Sequence, residues 1–210
     1  MADWTTISSL ATGGGTLVLA IATFASVRSS NRSARVAEVA LQEQRRPVLT
    51  QSRFDDSDQK IMFIDGRWLH VSGGGAGVLH ENGTVYMVIS LRNVGTGIGV
   101  LQGWFVQAGL LGAAPDHAPE DRYHAQTRDL YIPAGDVGIW QAALRDANDP
   151  THSQVAAAIA ERQPLTVELL YSDQVGSQRT ITRFTITPAG EDRWLATVGR
   201  YWYLDRAGPR

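Results

Sequence analysis

The chain has no cysteine, and Lys60 is the only lysine among its 210 residues. The lack of cysteine excludes disulfides, thiolate metal sites and cysteine nucleophiles, and it suits a reducing compartment. Histidine is sparse, and no HExxH pair or other close metal-ligand spacing occurs. A GxSxG nucleophile turn is also missing. The sequence therefore predicts no catalytic, cofactor-binding or metal-binding residues.

The net charge of −2 is divided unevenly along the chain. Residues 1–46 contain five arginines and three carboxylates, which gives them +2 and leaves −4 for the remainder. Affinity for nucleic acid rests largely on cations that neutralise phosphates. A mildly acidic domain therefore argues against a nucleic-acid partner.

Residues 7–27 hold no charged side chain, and Arg28, Arg32 and Arg35 follow directly. Because a helix needs about 20 apolar residues to cross a bilayer, this stretch predicts one membrane-spanning helix. A cleaved signal peptide and a buried or interfacial helix are the alternatives, although residues 1–9 lack the basic side chains of a signal peptide. The arginines follow the span, so the positive-inside rule predicts a single-pass cell-membrane protein with a cytoplasmic carboxy-terminal domain.

Residues 28–46 are expected to continue the helix as an arginine-rich stalk, with Ala37 and Leu41 at helical spacing. Pro47 is expected to end it, because the residue before a proline is pushed out of the helical conformation. The arginines are also suited to anionic lipid headgroups. We therefore expect a tail and span over 1–27, a stalk over 28–46 and a folded domain over 47–210.

The folded domain shows the alternating apolar pattern of β-strands, separated by turns. Asp65-Gly66 and Asn82-Gly83 are strong hairpin signals. The GGGAG stretch at 73–77 predicts a flexible loop, and Gly95 and Gly97 predict a tight turn with positive φ angles. Strands are predicted at 48–54, 61–64, 67–71, 84–94, 98–107, 128–132, 137–144, 165–171, 179–187 and 194–204, with a helix from 151 to about 162. The expected fold is mainly β, an antiparallel immunoglobulin-like β-sandwich with one inserted helix.

Five stretches have a distinctive sequence: TFASVRSSNRSAR, QEQRRPVL, ISLRNVGTGIGVLQGW, RDLYIPAGDVGIWQAALRD and RQPLTVELLYSDQVGSQRTITRF. In them, and over nearly the whole chain, the protein resembles an uncharacterised family of single-pass membrane proteins from actinobacteria. A span, a stalk ending in Arg-Pro and an Asn-x-Gly-x-Gly turn are also similar to those of many bacterial membrane-anchored β-sandwich proteins. The resemblance implies this architecture, and it implies no activity or site residue.

Residues 109–126 are expected to form a long surface loop. Its acidic and histidine side chains are Asp116, His117, Glu120, Asp121 and His124. Such a set fits a solvated loop better than a weak cation site, because metal sites need converging ligands. The other histidines are His152 and the pair His70 and His80, which flanks the GGGAG stretch. Neither glycine-rich stretch precedes a helix, so neither predicts nucleotide binding.

The last strand has an aromatic run in which Trp202 alternates with Tyr201 and Tyr203, so both faces carry aromatics. This pattern fits a strand buried on both sides, and equally a face that contacts a partner, the stalk or the membrane surface. The sequence leaves the two open.

An anchor and a compact domain without catalytic residues predict a non-enzymatic interaction or accessory module. It would bind the lipid bilayer through its first helix and a protein partner through its domain. Two alternatives remain: a ligand-binding or enzymatic domain with a site near residues 109–126, and an exported β-sandwich. A deep pocket with converging polar groups would favour the first alternative, and a flat exposed aromatic patch would favour the module.

Overall fold

The chain forms one long helix and one β domain. The computed structural model describes residues 4–111 and 116–205, and within these ranges the side chains of residues 4–16 and 18 lie outside the description. The chain divides into two compact units, Met1–Gln44 and Arg45–Arg210. The finer division into a span over 1–27 and a stalk over 28–46 stays a prediction.

Helix α1 runs without a break over Trp4–Glu43. Gln44 and Arg45 form a turn, so the helix ends before Arg46, the expected last residue of the stalk. Among the residues described, no helix is both long enough and apolar enough to cross a membrane. The span expected over 7–27 falls largely on residues whose side chains lie outside the description.

The strands and the second helix all belong to the β domain. In the described part of the domain, the strands are β1 Leu49–Gln51, β2 Gln59–Met62, β3 Trp68–Val71, β4 Gly75–Glu81, β5 Thr84–Asn93, β6 Gly99–Ala108, β7 His124–Ala125, β8 Tyr131–Ile132, β9 Val137–Leu144, β10 Leu165–Ser172, β11 Thr180–Ala189 and β12 Arg193–Tyr203. Helix α2 spans His152–Ala160, and a short 3-10 helix spans Glu120–Arg122. The mainly β fold that the sequence predicts is confirmed.

One continuous antiparallel sheet joins the strands in the order β1-β5-β4-β12-β11-β10-β6-β7. Strand β9 pairs with β5 on the edge opposite β4 and β1, and β8 pairs with β6. Strands β2 and β3 form a separate two-stranded hairpin. The sheet is antiparallel as expected, whereas the immunoglobulin-like arrangement stays a prediction.

Two apolar clusters hold the domain together. The larger lies between the strands and α2, and its fully buried side chains include Trp140, Tyr171 and Phe184. The smaller lies beneath the β2–β3 hairpin, where Phe63 packs edge-on against Tyr86 with ring centroids 4.9 Å apart. Burial of apolar area stabilises both clusters at about 25 cal/mol per Å². The hairpin is therefore part of the fold rather than a loose extension.

Both hairpins expected from the sequence are present, but the two-residue turn expected at Asp65-Gly66 is wrong, because that turn has three residues. Asn82 and Gly83 have positive φ angles of 50° and 73° between β4 and β5, as a two-residue turn of the favoured hairpin type requires. The β2–β3 turn has three residues, 64–66, because Phe63 N–H bonds to Arg67 O and Met62 pairs with Trp68. Gly66 takes the left-handed position of that turn, with φ 78°.

Two expectations about glycine are wrong. Strand β4 begins within the GGGAG stretch, at Gly75, and a Cβ there would lie 2.7 Å from Ser72 O. Gly95 and Gly97 do not have positive φ angles. A side chain at Gly95 or Gly97 would instead overlap the backbone of residues 45–48. Glycine is required there because another segment of backbone passes too close for a Cβ.

Two other segments differ from the expected elements. The strand expected over 128–132 is confined to Tyr131–Ile132. The loop expected over 109–126 contains the 3-10 helix and strand β7, and its residues 112–115 lie outside the description.

Candidate docking surface

The outer face of the β2–β3 hairpin exposes large apolar side chains. Successive residues of a strand point to opposite faces, so while Phe63 faces inward, Met62 and Trp68 form an outward cross-strand pair. Met62, Ile64 and Trp68 are 48%, 78% and 46% exposed. Lys60, opposite His70, extends the same face, and its Nζ lies 4.7 Å from the centre of the Trp68 ring. We call Lys60, Met62, Ile64, Trp68 and His70 the hairpin surface.

Polar contacts fix the hairpin to the main sheet. Asp65 in its turn accepts a hydrogen bond from Tyr86 Oη at 2.7 Å and one from Arg145 at 3.2 Å. The Tyr86 hydroxyl lowers the pKa of the Asp65 carboxyl, and in return the carboxylate raises the pKa of Tyr86. Arg67 pairs with Glu81 of β4 at 2.8 Å. The exposed apolar face is therefore held in a defined position, which lowers the entropy that a partner must overcome.

The segment over 116–125 covers the outer face of β10 and β11 through a buried ion pair. Glu168 is fully buried and lies 2.6 Å from the Arg183 guanidinium. Its other oxygen accepts hydrogen bonds from Tyr123 Oη at 2.6 Å and Ala118 N at 2.8 Å. Burial and the bond to Glu168 raise the pKa of Tyr123 well above its usual range. Arg183 also donates to Asp116 O at 2.6 Å, so both members of the ion pair hold the segment in place.

The acidic and histidine side chains of this segment do not converge. Glu120 forms an exposed ion pair with Arg179. The ring of His117 packs edge-on against Trp202, with centroids 5.7 Å apart. Among the residues described, no three histidine, aspartate or glutamate side chains are placed to hold a metal ion.

His124 stacks on Trp104 with ring centroids 4.3 Å apart, and its Nε2 lies 3.4 Å from Asp149 Oδ2. Burial opposes the ionisation of Asp149, but hydrogen bonds from Thr151 and the nearby His124 outweigh it and lower the pKa of Asp149. Thr151 directly precedes α2, so this contact ties β7 to the start of that helix.

The two histidines beside the GGGAG stretch serve different neighbours. His70 lies on the hairpin surface, whereas the His80 ring packs edge-on against His152, with centroids 6.0 Å apart. His152 Nε2 lies 2.9 Å from Gly83 O. His80 and His152 therefore connect α2 to the β4–β5 hairpin, and they do not form a site with His70.

Both faces of the aromatic last strand are covered by the chain itself. On one face, Tyr201 Oη donates to Leu49 O at 3.2 Å, and the Arg46 guanidinium lies 4.5 Å from the centre of the Tyr203 ring. On the other face, Trp202 contacts His117, and the Arg183 guanidinium lies 4.7 Å from the centre of the Trp202 ring. This strand is therefore occupied with internal contacts, which favours the packing interpretation of its aromatics.

The Asn-x-Gly-x-Gly turn holds the segment that enters the domain. Asn93 is fully buried; its Oδ1 accepts from Val48 N at 3.1 Å and Gly95 N at 3.0 Å. Its Nδ2 donates to Gly97 O at 2.7 Å and Ile132 O at 3.0 Å. Arg46 next to this turn forms an ion pair of 2.6 Å with Asp205. The Asn-x-Gly-x-Gly motif therefore has a structural role, because Asn93 holds the segment that enters the domain against the sheet.

One cavity of about 230 Å³ lies between β7 and β9. Its wall includes Ile64 of the β2–β3 turn together with Trp104, Gln126, Arg128, Gln141 and Arg145. Gln126 Nε2 donates to Arg128 O at 2.7 Å, whereas Gln126 Oε1 is buried and has no hydrogen-bond partner among the residues described. Ligand pockets usually have about 300–1,000 Å³, so this cavity is small for a ligand site.

The hairpin surface was not identified from the sequence, although one signal for it exists. Residues 61–64 are all apolar, which on a strand places apolar side chains on both faces. No family model, curated protein or solved structure matches this chain, so its resemblance to a membrane-protein family stays a prediction.

Proposed function

We propose that the protein is a membrane-tethered interaction module whose β domain binds a partner protein through the hairpin surface. The observation that carries the proposal is the exposure of the cross-strand pair Met62 and Trp68 on the outer face of the hairpin, with Ile64 exposed in the adjoining turn. Exposed apolar side chains that cluster on a fixed surface are typical of protein contacts, in which aromatic and methionine side chains are enriched. The module needs no catalytic group.

The tether is supported by sequence. Residues 7–27 carry no charge and Arg28, Arg32 and Arg35 follow, so the proposal places the domain in the cytoplasm. In the described part of that stretch, Leu19, Ile21 and Phe24 are exposed to solvent within their own unit, and a bilayer would cover them. The proposal also keeps an immunoglobulin-like sandwich for the domain, supported by the large apolar cluster between its strands.

Lys60 makes the docking surface testable, because it is the only lysine and lies on the surface itself. Membranes that contain the tagged full-length chain would be treated with an amine-reactive cross-linker. We expect a discrete adduct that disappears in Lys60→Arg. Ile64→Ser and Trp68→Ala should weaken it about tenfold, the usual cost of losing a central apolar contact.

Val175→Ser is the matched control, since Val175 is 73% exposed on the turn between β10 and β11 and does not belong to the hairpin. It should leave the adduct unchanged. An adduct equally strong in all of these variants, or no Lys60-dependent adduct at all, would overturn the docking surface.

The tether has its own test. Alkaline extraction should leave the chain in the membrane pellet, and a carboxy-terminal tag should resist protease in intact spheroplasts. Release by alkali would count against the tether. Digestion of the tag would favour the exported β-sandwich.

A second candidate function is binding of a small ligand in the cavity between β7 and β9. The specific observation is the buried Gln126 Oε1 beside Trp104 and two arginines, although the volume of about 230 Å³ is low. Saturation-transfer NMR with a metabolite-sized library would test it, with Trp104→Phe as the variant. Ligands whose signal depends on Trp104 would favour this function over the module.

A further inference from the structure

One face of helix α1 gathers basic side chains directly after the apolar stretch. Phe24, Arg28, Asn31 and Arg35 recur at intervals of three or four residues, which places them on the same side of a helix. Arg32 lies one turn after Arg28, next to the same face. The face is therefore apolar at its amino-terminal end and cationic over the next turns.

Acidic residues are scarce along this part of the helix, and only Glu38 lies within one turn of any of the three arginines. Residues 4–37 contain no aspartate or glutamate, and the first acidic residue after the cluster is Glu38. In the β domain, by contrast, Arg92 pairs with Asp56 and Arg183 with Glu168. Arg28 and Arg32 have no acidic neighbour on the helix, so their guanidinium groups are open to an anion from outside it.

We propose that the face formed by Arg28, Arg32 and Arg35 binds the phosphate of anionic phospholipid headgroups. Guanidinium groups bind phosphate through paired hydrogen bonds, and several on one helix face can share one headgroup. The apolar Phe24 at the amino-terminal end of the face matches the acyl-chain boundary of a lipid, which a free phosphate or a nucleic acid does not offer. The proposal rests on the membrane tether, since only a tethered helix holds these arginines at the headgroups.

The lack of cysteine makes the site accessible to one specific label. Ala34→Cys would carry a donor fluorophore beside the arginines in the full-length chain. The chain would be reconstituted into phosphatidylcholine vesicles that contain acceptor-labelled phosphatidylglycerol or acceptor-labelled phosphatidylcholine. Energy transfer should be higher to the anionic lipid, because each arginine near the surface favours it about fivefold.

The variant Arg28→Gln/Arg32→Gln/Arg35→Gln should lose this preference. Arg53→Gln/Arg128→Gln/Arg193→Gln removes the same charge from exposed positions of the β domain and should keep it. Equal transfer to both lipids in the unmodified helix, or a preference retained in the helix variant, would overturn the lipid site.

A flotation experiment distinguishes failure of the headgroup site from failure of the membrane tether. A chain that does not float with phosphatidylcholine vesicles would overturn the tether itself. A chain that floats with them but shows no preference for phosphatidylglycerol would overturn only the headgroup site.

Discussion

The β2–β3 hairpin and the 116–125 segment each pack against the main sheet, and each contact uses a carboxylate that binds a tyrosine and an arginine. In the contact made by the 116–125 segment, the carboxylate is Glu168 of the sheet, which is fully buried, and Tyr123 belongs to the segment. In the hairpin, Asp65 belongs to the covering chain and Tyr86 to the sheet. The first contact buries its charge, whereas the Asp65 side chain remains 34% exposed.

This difference indicates what each region does. A buried carboxylate is costly unless all of its partners are present, so the 116–125 segment is held in place by the groups that bind Glu168. The hairpin is held mainly by the apolar side chains on its inner face, with Asp65 at the rim. Its outer apolar side chains remain exposed, which is why we propose the docking function for them.

The largest effect is expected when Glu168 is replaced. Glu168→Ala leaves Arg183 as an uncompensated charge that is 4% exposed, which should cost about 3–5 kcal/mol of unfolding free energy. Denaturant titration of the full-length chain in detergent, followed by tryptophan fluorescence, measures this loss.

Glu120→Ala is the control, because Glu120 also fastens the segment but forms an exposed ion pair with Arg179. It should cost less than about 1 kcal/mol. Equal losses in the two variants would show that the buried pair does not dominate the contact.

The two tyrosines offer a matched comparison of hydrogen bonds. Tyr123→Phe removes a donor from the buried carboxylate, and we expect a loss of about 1.5–3 kcal/mol. Tyr86→Phe removes a donor from the partly exposed Asp65, which water can replace, so the loss should be about 0.5–1 kcal/mol. The same denaturant titration applies, and a larger loss for Tyr86→Phe would reverse the order inferred from burial.

The pH dependence of stability gives a further test of the contact between Asp65 and Tyr86. The folded pKa of Asp65 lies below its usual value, chiefly because Tyr86 donates a hydrogen bond to the ionised form. Its stabilisation is therefore fully present above the unfolded pKa of about 3.9, and is lost as pH falls through the lower folded value. In an NMR titration, Tyr86→Phe should move the pKa of Asp65 back up, and an unchanged value would refute this cause.

Much of the fold was accessible from the sequence because it depends on local pattern. Strand β9 was predicted with its observed bounds, Val137–Leu144, and the Asn82-Gly83 turn follows from positive φ angles that only a few residues tolerate. The roles of Gly95 and Gly97 were not accessible. They depend on the entry segment passing close by, which is a contact between distant parts of the chain.

The buried ion pair and the β2–β3 hairpin show the same limit of prediction from sequence. Glu168 is an isolated acid within an apolar strand, and Arg183 interrupts the next one, so the sequence offers a hint that the two pair. Their cross-strand register, which makes the pair, appears only in the sheet. Likewise residues 61–64 indicate apolar character on both faces, but which face is covered depends on where the hairpin packs.

The smallest effect on stability is expected for Ile64→Ser, and this is the most informative change for function. Ile64 is 78% exposed, so its replacement should alter the unfolding free energy by less than about 0.5 kcal/mol. The same variant should lose most of the Lys60-dependent cross-linked adduct. Phe63→Ala, on the inner face, should cost about 3–5 kcal/mol and would lose the adduct only through damage to the fold. Phe63 is buried against the sheet, whereas Ile64 is exposed at the start of the turn, so a binding defect without a stability defect at Ile64 assigns the exposed side of the hairpin to a partner. A stability loss at Ile64 comparable to that at Phe63 would instead show that the outer face serves the fold.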